Sequence, residues 1–256
     1  MAYAKRKAPP KKRVVKRTKK GSGKLVKLIK KVAAEQVHRQ IENKQQSYDL
    51  ALTTFNNAAT GFGDQLRVMP FINLGVNAAD RTGDTITLRS LRILGHMVVN
   101  PAILTADNAR QRIMVRMVIL QPKTFGTYTT MQANAGFMDT VLRNGNSTQS
   151  MDGSIKSMYL PYNYEAFRIY AAKRVILRSD AIIGNGIING QYATSFFSFN
   201  MKVKNKKVKY NDTSSEPMAF CPIMLLSYCF LDGSATSLLS TAVSMSFNST
   251  VVYEDA

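Results

Sequence analysis

Most of the chain after Ser47 consists of short runs rich in β-branched and aromatic residues, separated by turn sequences such as Arg81–Asp84 and Asn144–Asn146. The clearest runs are Thr85–Asn100, Arg112–Leu120, Phe167–Arg178, Thr194–Tyr210, Pro222–Leu231 and Thr241–Tyr253. A parallel α/β sheet needs a crossover helix between successive strands, whereas the pattern here predicts only one helix among the runs, at Met131–Leu142. The sequence therefore predicts an all-β sandwich of antiparallel strands.

The run Phe167–Arg178 alternates clearly between apolar and polar positions. One face holds Phe167, Ile169, Ala171, Val175 and Leu177, and the other holds Arg168, Tyr170, Arg174 and Arg178. A period of two residues is typical of a strand with one buried face.

The positive charge is concentrated at one end of the chain. The formal net charge is +19, from 35 Lys and Arg against 16 Asp and Glu. Residues 1–31 contain fourteen of these cations and no acid, so the other 225 residues carry only +5. A nearly neutral body with a strongly basic tail is typical of a protein that binds a polyanion through the tail.

The first 23 residues are low in complexity and are predicted to be a disordered arm, because like charges repel and Pro9–Pro10 block a helix. Phosphate contacts are expected from all fourteen cations of the arm and of the segment that follows it. These are Lys5, Arg6, Lys7, Lys11, Lys12, Arg13, Lys16, Arg17, Lys19, Lys20, Lys24, Lys27, Lys30 and Lys31. The run Lys5–Lys20 also fits a nuclear import signal.

Residues Lys24–Gln46 are predicted to form a basic amphipathic helix. Apolar residues recur there at three- and four-residue steps, with lysines between them: Leu25, Leu28, Ile29, Val32, Ala33, Val37 and Ile41. Three roles remain open for such a helix. It can line a nucleic-acid cavity, pack on the body for stability alone, or lie on an anionic membrane surface.

A second set of cations in the body is a candidate inner wall for nucleic acid: Arg89, Arg92, Arg174, Lys202, Lys204 and Lys206. The last three occupy alternate positions of one predicted strand and are expected to share a face. An outer, solvated face explains these residues as well.

Catalytic and metal-binding patterns are missing from the sequence. His38 and His96 are its two histidines, and neither has metal-ligand spacing to a second His or to Cys. Cys221 and Cys229 are expected to be reduced and buried, since no secretory leader is recognised before them. The longest apolar stretch, Pro217–Leu231, is too short to span a bilayer. The chain is therefore expected not to be an enzyme, to need no cofactor and to have no membrane span.

Several segments resemble the coat proteins of circovirus-like circular single-stranded DNA viruses and of small satellite RNA viruses. Asp80–Asp84 followed by TITLRSLRILG is similar to the turn and first strand of that family, and Phe167–Arg178 resembles a mid-chain strand. Lys206–Asp212 followed by PIMLLSYCFLDGSA, and the ending Asn248–Ala256, resemble the last two strands. The helix Lys24–Gln46 is more similar to the inner-surface helix of satellite RNA viruses.

The resemblance implies a single jelly roll of two four-stranded antiparallel sheets and a closed T=1 icosahedral shell of about sixty copies. It also implies a packaged single-stranded genome, with DNA favoured and RNA open, and a location in the virion and, during assembly, the host nucleus. Host nuclear import machinery is then a candidate partner. A cellular nucleic-acid-binding protein of the chromatin or ribosomal type is the alternative.

Overall fold

The computed structural model describes residues 25–32, 43–99, 112–178, 194–203, 205–231 and 242–255. The chain divides into two units, residues 1–41 and residues 42–256. In the first unit, residues 25–32 form a helix, α1. The predicted disordered arm, residues 1–23, lies outside the described residues.

In the second unit, here called the body, the regular structure of the described residues consists mainly of antiparallel strands. Its strands are β1 (Asn43–Phe55), β2 (Leu66–Arg67), β3 (Thr85–Val99), β4 (Arg112–Pro122), β5 (Leu142–Asn144), β6 (Ser147–Gln149), β7 (Phe167–Arg178), β8 (Thr194–Met201), β9 (Lys206–Tyr210), β10 (Pro217–Met218), β11 (Ile223–Phe230) and β12 (Val243–Asp255). A short helix, α2 (Tyr128–Gln132), and two 3₁₀ segments, Phe62–Asp64 and Ala135–Thr140, lie in the connections.

The strand order identifies the fold as a jelly roll. Sheet 1 has the order β1-β12-β3, after which β8 and β9 both pair with β3 and β10 pairs with β9. Sheet 2 has the order β2-β11-β4-β7. If β8 and β9 count as one strand and the short β5, β6 and β10 are set aside, the described strands number eight. When these eight strands are renumbered 1 to 8 in chain order, sheet 1 has the order 1-8-3-6 and sheet 2 the order 2-7-4-5. This is the double Greek key of a single jelly roll. The predicted fold class is confirmed.

The main core lies between the two sheets, and sheet 1 contributes one face to it. Along β12 the side chains alternate between buried and half-buried positions, and β3 shows a similar alternation. Ile86, Leu88, Leu91 and Ile93 of β3 are buried to 1% exposure or less. Sheet 1 therefore keeps a solvated outer face, as expected for an antiparallel sheet with one exposed side.

The two central strands of sheet 2, β4 and β11, are buried on both faces. Their second face is covered by the connection between β4 and β7, which is anchored by Arg116. The Arg116 guanidinium donates to the Tyr162 hydroxyl at 2.9 Å, to the carbonyl of Leu160 at 2.8 Å and to the carbonyl of Ser157. Because both faces of β4 and β11 are covered, apolar residues follow one another in these strands without polar alternation.

A second buried arginine, Arg81, fixes the turn that leads into β3. Its side chain is fully buried and donates to the carbonyl oxygens of Gly83, Asn211, Asp212 and Ser214 at 2.6–3.0 Å. Because these carbonyls belong to two distant loops, a single side chain ties the start of β3 to the segment after β9.

The structure corrects two helix predictions. The helix predicted over Lys24–Gln46 is confirmed at residues 25–32, but Asn43–Gln46 already belong to β1 and pair with β12. The helix predicted over Met131–Leu142 is replaced by α2, a 3₁₀ segment and the start of the β5–β6 hairpin. At Asn43–Gln46, pairing with β12 overrides a weak local preference.

The predicted strand Thr194–Tyr210 is broken. β8 ends at Met201 and β9 begins at Lys206, and Asn205 between them has a positive φ of 62°. Asparagine is one of the few residues that tolerate this left-handed conformation. Both pieces still pair with β3, β8 with Leu91–Val98 and β9 with Thr85–Leu88.

Candidate nucleic-acid interface

Helix α1 separates its apolar and basic residues onto two sides. Leu25, Leu28 and Ile29 lie along one stripe and are 57–61% exposed. Lys27, Lys30 and Lys31 fall on the opposite side at helical spacing. The other eleven predicted arm contacts, Lys24 included, lie outside the described residues.

The five candidate inner-wall cations that the structure describes lie on different surfaces of the body. Arg89 sits at a bulge of β3, where it forms an ion pair with the Glu254 carboxylate and donates to Asn205 Oδ1 at 2.7 Å. Arg92 is exposed on the outer face of sheet 1. Arg174 is exposed on the outer face of sheet 2, with its guanidinium 5.7 Å from the ring centroid of Tyr159. The two exposed arginines therefore belong to different sheets.

The prediction that Lys202, Lys204 and Lys206 share one face is wrong for the two that are described. Lys202 is exposed between buried Met201 and Val203, so it points away from the core. Lys206 lies opposite buried Leu88, on the core side of β9. The left-handed turn at Asn205 shifts the alternation between the two strands, and Lys204 lies outside the described residues.

Four cations, of which Lys206 belongs to the candidate set above, lie together at one edge of the sandwich. A cleft of about 400 Å³ opens where β7 lies near β9 and β10, and four cations line it: Arg168, Lys206, Lys207 and Lys209. We call this group the four-cation cleft. No Asp or Glu is among the described residues that line it. Strands β7, β8 and β9 together contain seven Lys and Arg and no acid, which is the sequence signal that points to this edge.

Lys206 is the most constrained cation of the cleft. Its ammonium nitrogen lies 4.7 Å from the ring centroid of Phe220. Burial, and secondarily the positive charge of Arg168, lower the pKa of Lys206 below its ordinary value. The ring of Phe220 is held in turn by an edge-to-face contact with Tyr170, at 5.7 Å between centroids. The cleft thus contains closely spaced like charges on a fixed apolar floor.

A second cleft, of about 510 Å³, is formed around β8 and is lined by Arg92, Lys173 and an exposed phenylalanine. This phenylalanine, Phe196, is 81% exposed. His96 lies beside it, with ring centroids 6.1 Å apart and its Nδ1 3.0 Å from the hydroxyl of Ser246. An exposed ring between cations is suited to stacking on an unpaired base.

The two cysteines are buried and form no disulfide with each other, as the sequence suggests. Burial raises the pKa of the Cys221 thiol to about 12, so it stays protonated at neutral pH. Among the described residues, no group of three or more His, Cys, Asp or Glu is arranged to hold a metal ion. No helix within the described ranges is long and apolar enough to cross a membrane.

No family model and no curated protein matches this sequence. Distant likenesses to solved structures include two viral proteins. The VP1 protein of Trichodysplasia spinulosa-associated polyomavirus, solved with 3′-sialyllactose, shares 10% identity over 84% of this chain and 97% of its own, with a TM-score of 0.28. A protein of the T13 IBDV viral particle shares 10% identity over 83% of this chain and 40% of its own, with a TM-score of 0.19. At these TM-scores neither likeness supports an argument, so the fold assignment rests on strand order and pairing.

Proposed function

We propose that the chain is a viral capsid protein that assembles into a small icosahedral shell and packages single-stranded nucleic acid. One observation carries the proposal: fourteen cations without a single acid precede a jelly-roll body that itself carries only +5. Packaging needs charge that meets phosphates without reading bases, and flexible lysines and arginines provide it.

The shell of this proposal contains about sixty copies, the number that the resemblance of the sequence to circovirus-like coat proteins implies. Closed symmetric assemblies are common for identical subunits with complementary contacts. DNA is the favoured genome and RNA the alternative. The virion is the expected location, with passage through the host nucleus when the genome is DNA, and the run Lys5–Lys20 then serves in import.

A cellular nucleic-acid-binding protein of the chromatin or ribosomal type is the second candidate. The basic segment alone is compatible with it, but the nearly neutral body shows no recognised reader motif, such as zinc ligands or a set of stacking aromatics on one sheet. Negative-stain microscopy of the purified protein separates the two. Uniform round particles support the capsid, whereas the absence of any assembly with or without nucleic acid contradicts it.

Deletion of residues 1–23 tests the role of the basic arm and removes ten cations. We expect the body to keep its β-rich circular dichroism spectrum while its affinity for single strands becomes much less salt-dependent. Each phosphate contact on a single strand contributes about 0.7 to the magnitude of the negative slope of log affinity against log salt. The magnitude of the slope should therefore decrease by up to about 7.

The matched control for this deletion is a chain whose first 23 residues keep the same composition in a shuffled order. Since charge and not sequence is read, this variant should bind like the original chain. If the shuffled arm binds as weakly as the deletion, or the deletion binds as tightly as the full chain, the arm is not a phosphate-binding device.

Helix α1 is proposed to lie on the inner side of the shell, because the arm that precedes it has to reach the genome. Its lysine side then faces nucleic acid, and its apolar stripe of Leu25, Leu28, Ile29 and Val32 requires cover from protein. Trypsin treatment of intact particles tests this placement. Sparing of Lys27, Lys30 and Lys31 supports an interior helix, whereas rapid cleavage there places the helix outside and favours membrane contact.

A further inference from the structure

The four-cation cleft brings four Lys and Arg together, and no carboxylate is among the described residues that line it. Elsewhere, Lys44 pairs with Asp255 at 3.1 Å and Arg81 with Asp84 at 3.3 Å, and Arg89 pairs with Glu254. In the cleft, Arg168, Lys207 and Lys209 are exposed and surround Lys206, whose pKa burial and Arg168 lower. A cluster of cations that repel one another is stabilised by an anion bound between them.

The spacing of these cations fits a chain of phosphates better than a single small anion. Lys207 and Lys209 are alternate residues of β9, lie on one face, and are separated by about 7 Å along the strand. That separation is comparable to the distance between neighbouring phosphates of an extended nucleic-acid strand. Arg168 approaches from β7 on the other side of the cleft and supplies a planar fork for phosphate oxygens.

The same edge of the sandwich favours a single strand over a duplex. Strand β8, which precedes β9 in the chain, presents Phe196 with 81% of its surface exposed, and Arg92 and Lys173 line the cleft around it. An exposed ring is suited to stacking on a base whose face is free, and bases in a duplex are already stacked.

We propose that the four-cation cleft is a second nucleic-acid site, which holds the phosphates of a single strand on the body in addition to the basic arm. This inference rests on the proposed packaging function. It states where on the body the nucleic-acid strand is bound beyond its contacts with the basic arm. The occupant is the sugar–phosphate backbone, so the site reads no sequence.

Lysine acetylation of the full-length protein, measured by mass spectrometry, tests the site directly. A single-stranded oligonucleotide should slow acetylation of Lys206, Lys207 and Lys209 by at least about threefold at low salt, where phosphate contacts are strongest. Lys156, which is exposed and outside the cleft, should react at an unchanged rate. The arm lysines should be protected in the same sample.

The pattern of lysine protection distinguishes failure of the second site from failure of the packaging function. Protected arm lysines with cleft lysines as reactive as Lys156 overturn the second site and leave the packaging function intact. If no lysine is protected, the packaging function itself is wrong. Equal protection by inorganic phosphate at the same phosphate concentration makes the cleft a general anion site. Protection that appears on assembly without nucleic acid makes it a contact between copies. Either result overturns the proposal.

A triple variant of the full chain adds a quantitative test: Arg168→Gln, Lys207→Gln and Lys209→Gln. Loss of three phosphate contacts should reduce the salt slope for single strands by about 2. The control variant removes the same charge from exposed positions outside the cleft, with Arg112→Gln, Lys123→Gln and Lys156→Gln. Equal slopes for the two variants overturn the proposal, because the loss is then general charge and not a site.

Discussion

The body uses cations in two different ways, in the buried arginines and in the four-cation cleft. Arg81 and Arg116 are buried to 1% exposure or less, and their described partners are mainly backbone carbonyl oxygens. Arg168, Lys207 and Lys209 are exposed on strands that contain no acid. The first group stabilises loops, whereas the second is available to a ligand. Net charge alone does not distinguish the two groups, but the identity of the neighbouring acceptors does.

The largest expected effect is the loss of Arg81. Arg81→Met removes the guanidinium donor from four carbonyl oxygens of two loops, of which only that of Asn211 keeps a described backbone donor, Ser214 N–H. The free energy of unfolding should therefore fall by about 3 kcal/mol or more. Chemical denaturation measures the change. Arg168→Met makes the same replacement at an exposed cleft position and should stay within about 0.5 kcal/mol of the original. Similar values for the two variants would remove the distinction between the two groups.

Arg116→Met should have an intermediate and more local effect. The side chain holds the β4–β7 connection through Tyr162, Leu160 and Ser157, with its guanidinium 4.1 Å from the Tyr162 ring centroid. We expect a loss of about 2 kcal/mol in unfolding free energy, with faster hydrogen exchange concentrated in residues 154–164.

Arg174→Met is the matched control for that change, because Arg174 lies directly opposite Arg116 in the register but is exposed. It should alter neither the unfolding free energy beyond about 0.5 kcal/mol nor the exchange of the connection. Uniform acceleration of exchange across the body in Arg116→Met would contradict a local anchoring role.

Much of this fold is predictable from the sequence, because strands with one or two buried faces show their periodicity directly. β7 has the predicted bounds, and β3 spans Thr85–Val99 of the predicted Thr85–Asn100, whose last residue lies outside the described residues. β1 was not predicted as a strand: Asn43–Gln46 was assigned to a helix and no run was assigned to Ser47–Phe55. This segment becomes a strand by pairing with β12. The continuous apolar runs of β4 and β11 indicate burial on both faces, but the sequence does not show which segment covers the second face, because the covering connection is assembled from irregular segments.

The candidate site was harder to predict than the fold. The lysines at 202, 204 and 206 look like one face of a strand, and the break at Asn205 is visible only in the backbone. Arg168 and Lys209 are 41 positions apart in the sequence, and they line one cleft because the jelly roll places the edges of its two sheets side by side. The absence of acids from β7, β8 and β9 was the available signal.

The smallest expected effect has the opposite sign and concerns Lys206. Burial, and next the charge of Arg168, lower the pKa of Lys206, so its charged form is less favourable in the folded state than in the unfolded chain. This cost is present in full at pH values below the folded pKa and disappears as pH rises through that pKa toward the unfolded value. Lys206→Met removes the cost and keeps an apolar side chain against Phe220.

We therefore expect Lys206→Met to stabilise the body at pH 7, by no more than about 0.5 kcal/mol, while it weakens nucleic-acid binding. The gain should shrink as pH is raised toward the ordinary lysine pKa of 10.5, because the original chain then loses the unfavourable charge. Denaturation midpoints between pH 7 and pH 10.5 measure the trend, with Lys207→Met on the exposed face of β9 as the control. Residues that bind a ligand often lower stability in its absence, and a gain in stability coupled to a loss of binding would place Lys206 among them. A loss of more than about 1 kcal/mol at pH 7 would instead assign Lys206 to the structural cations, beside Arg81 and Arg116.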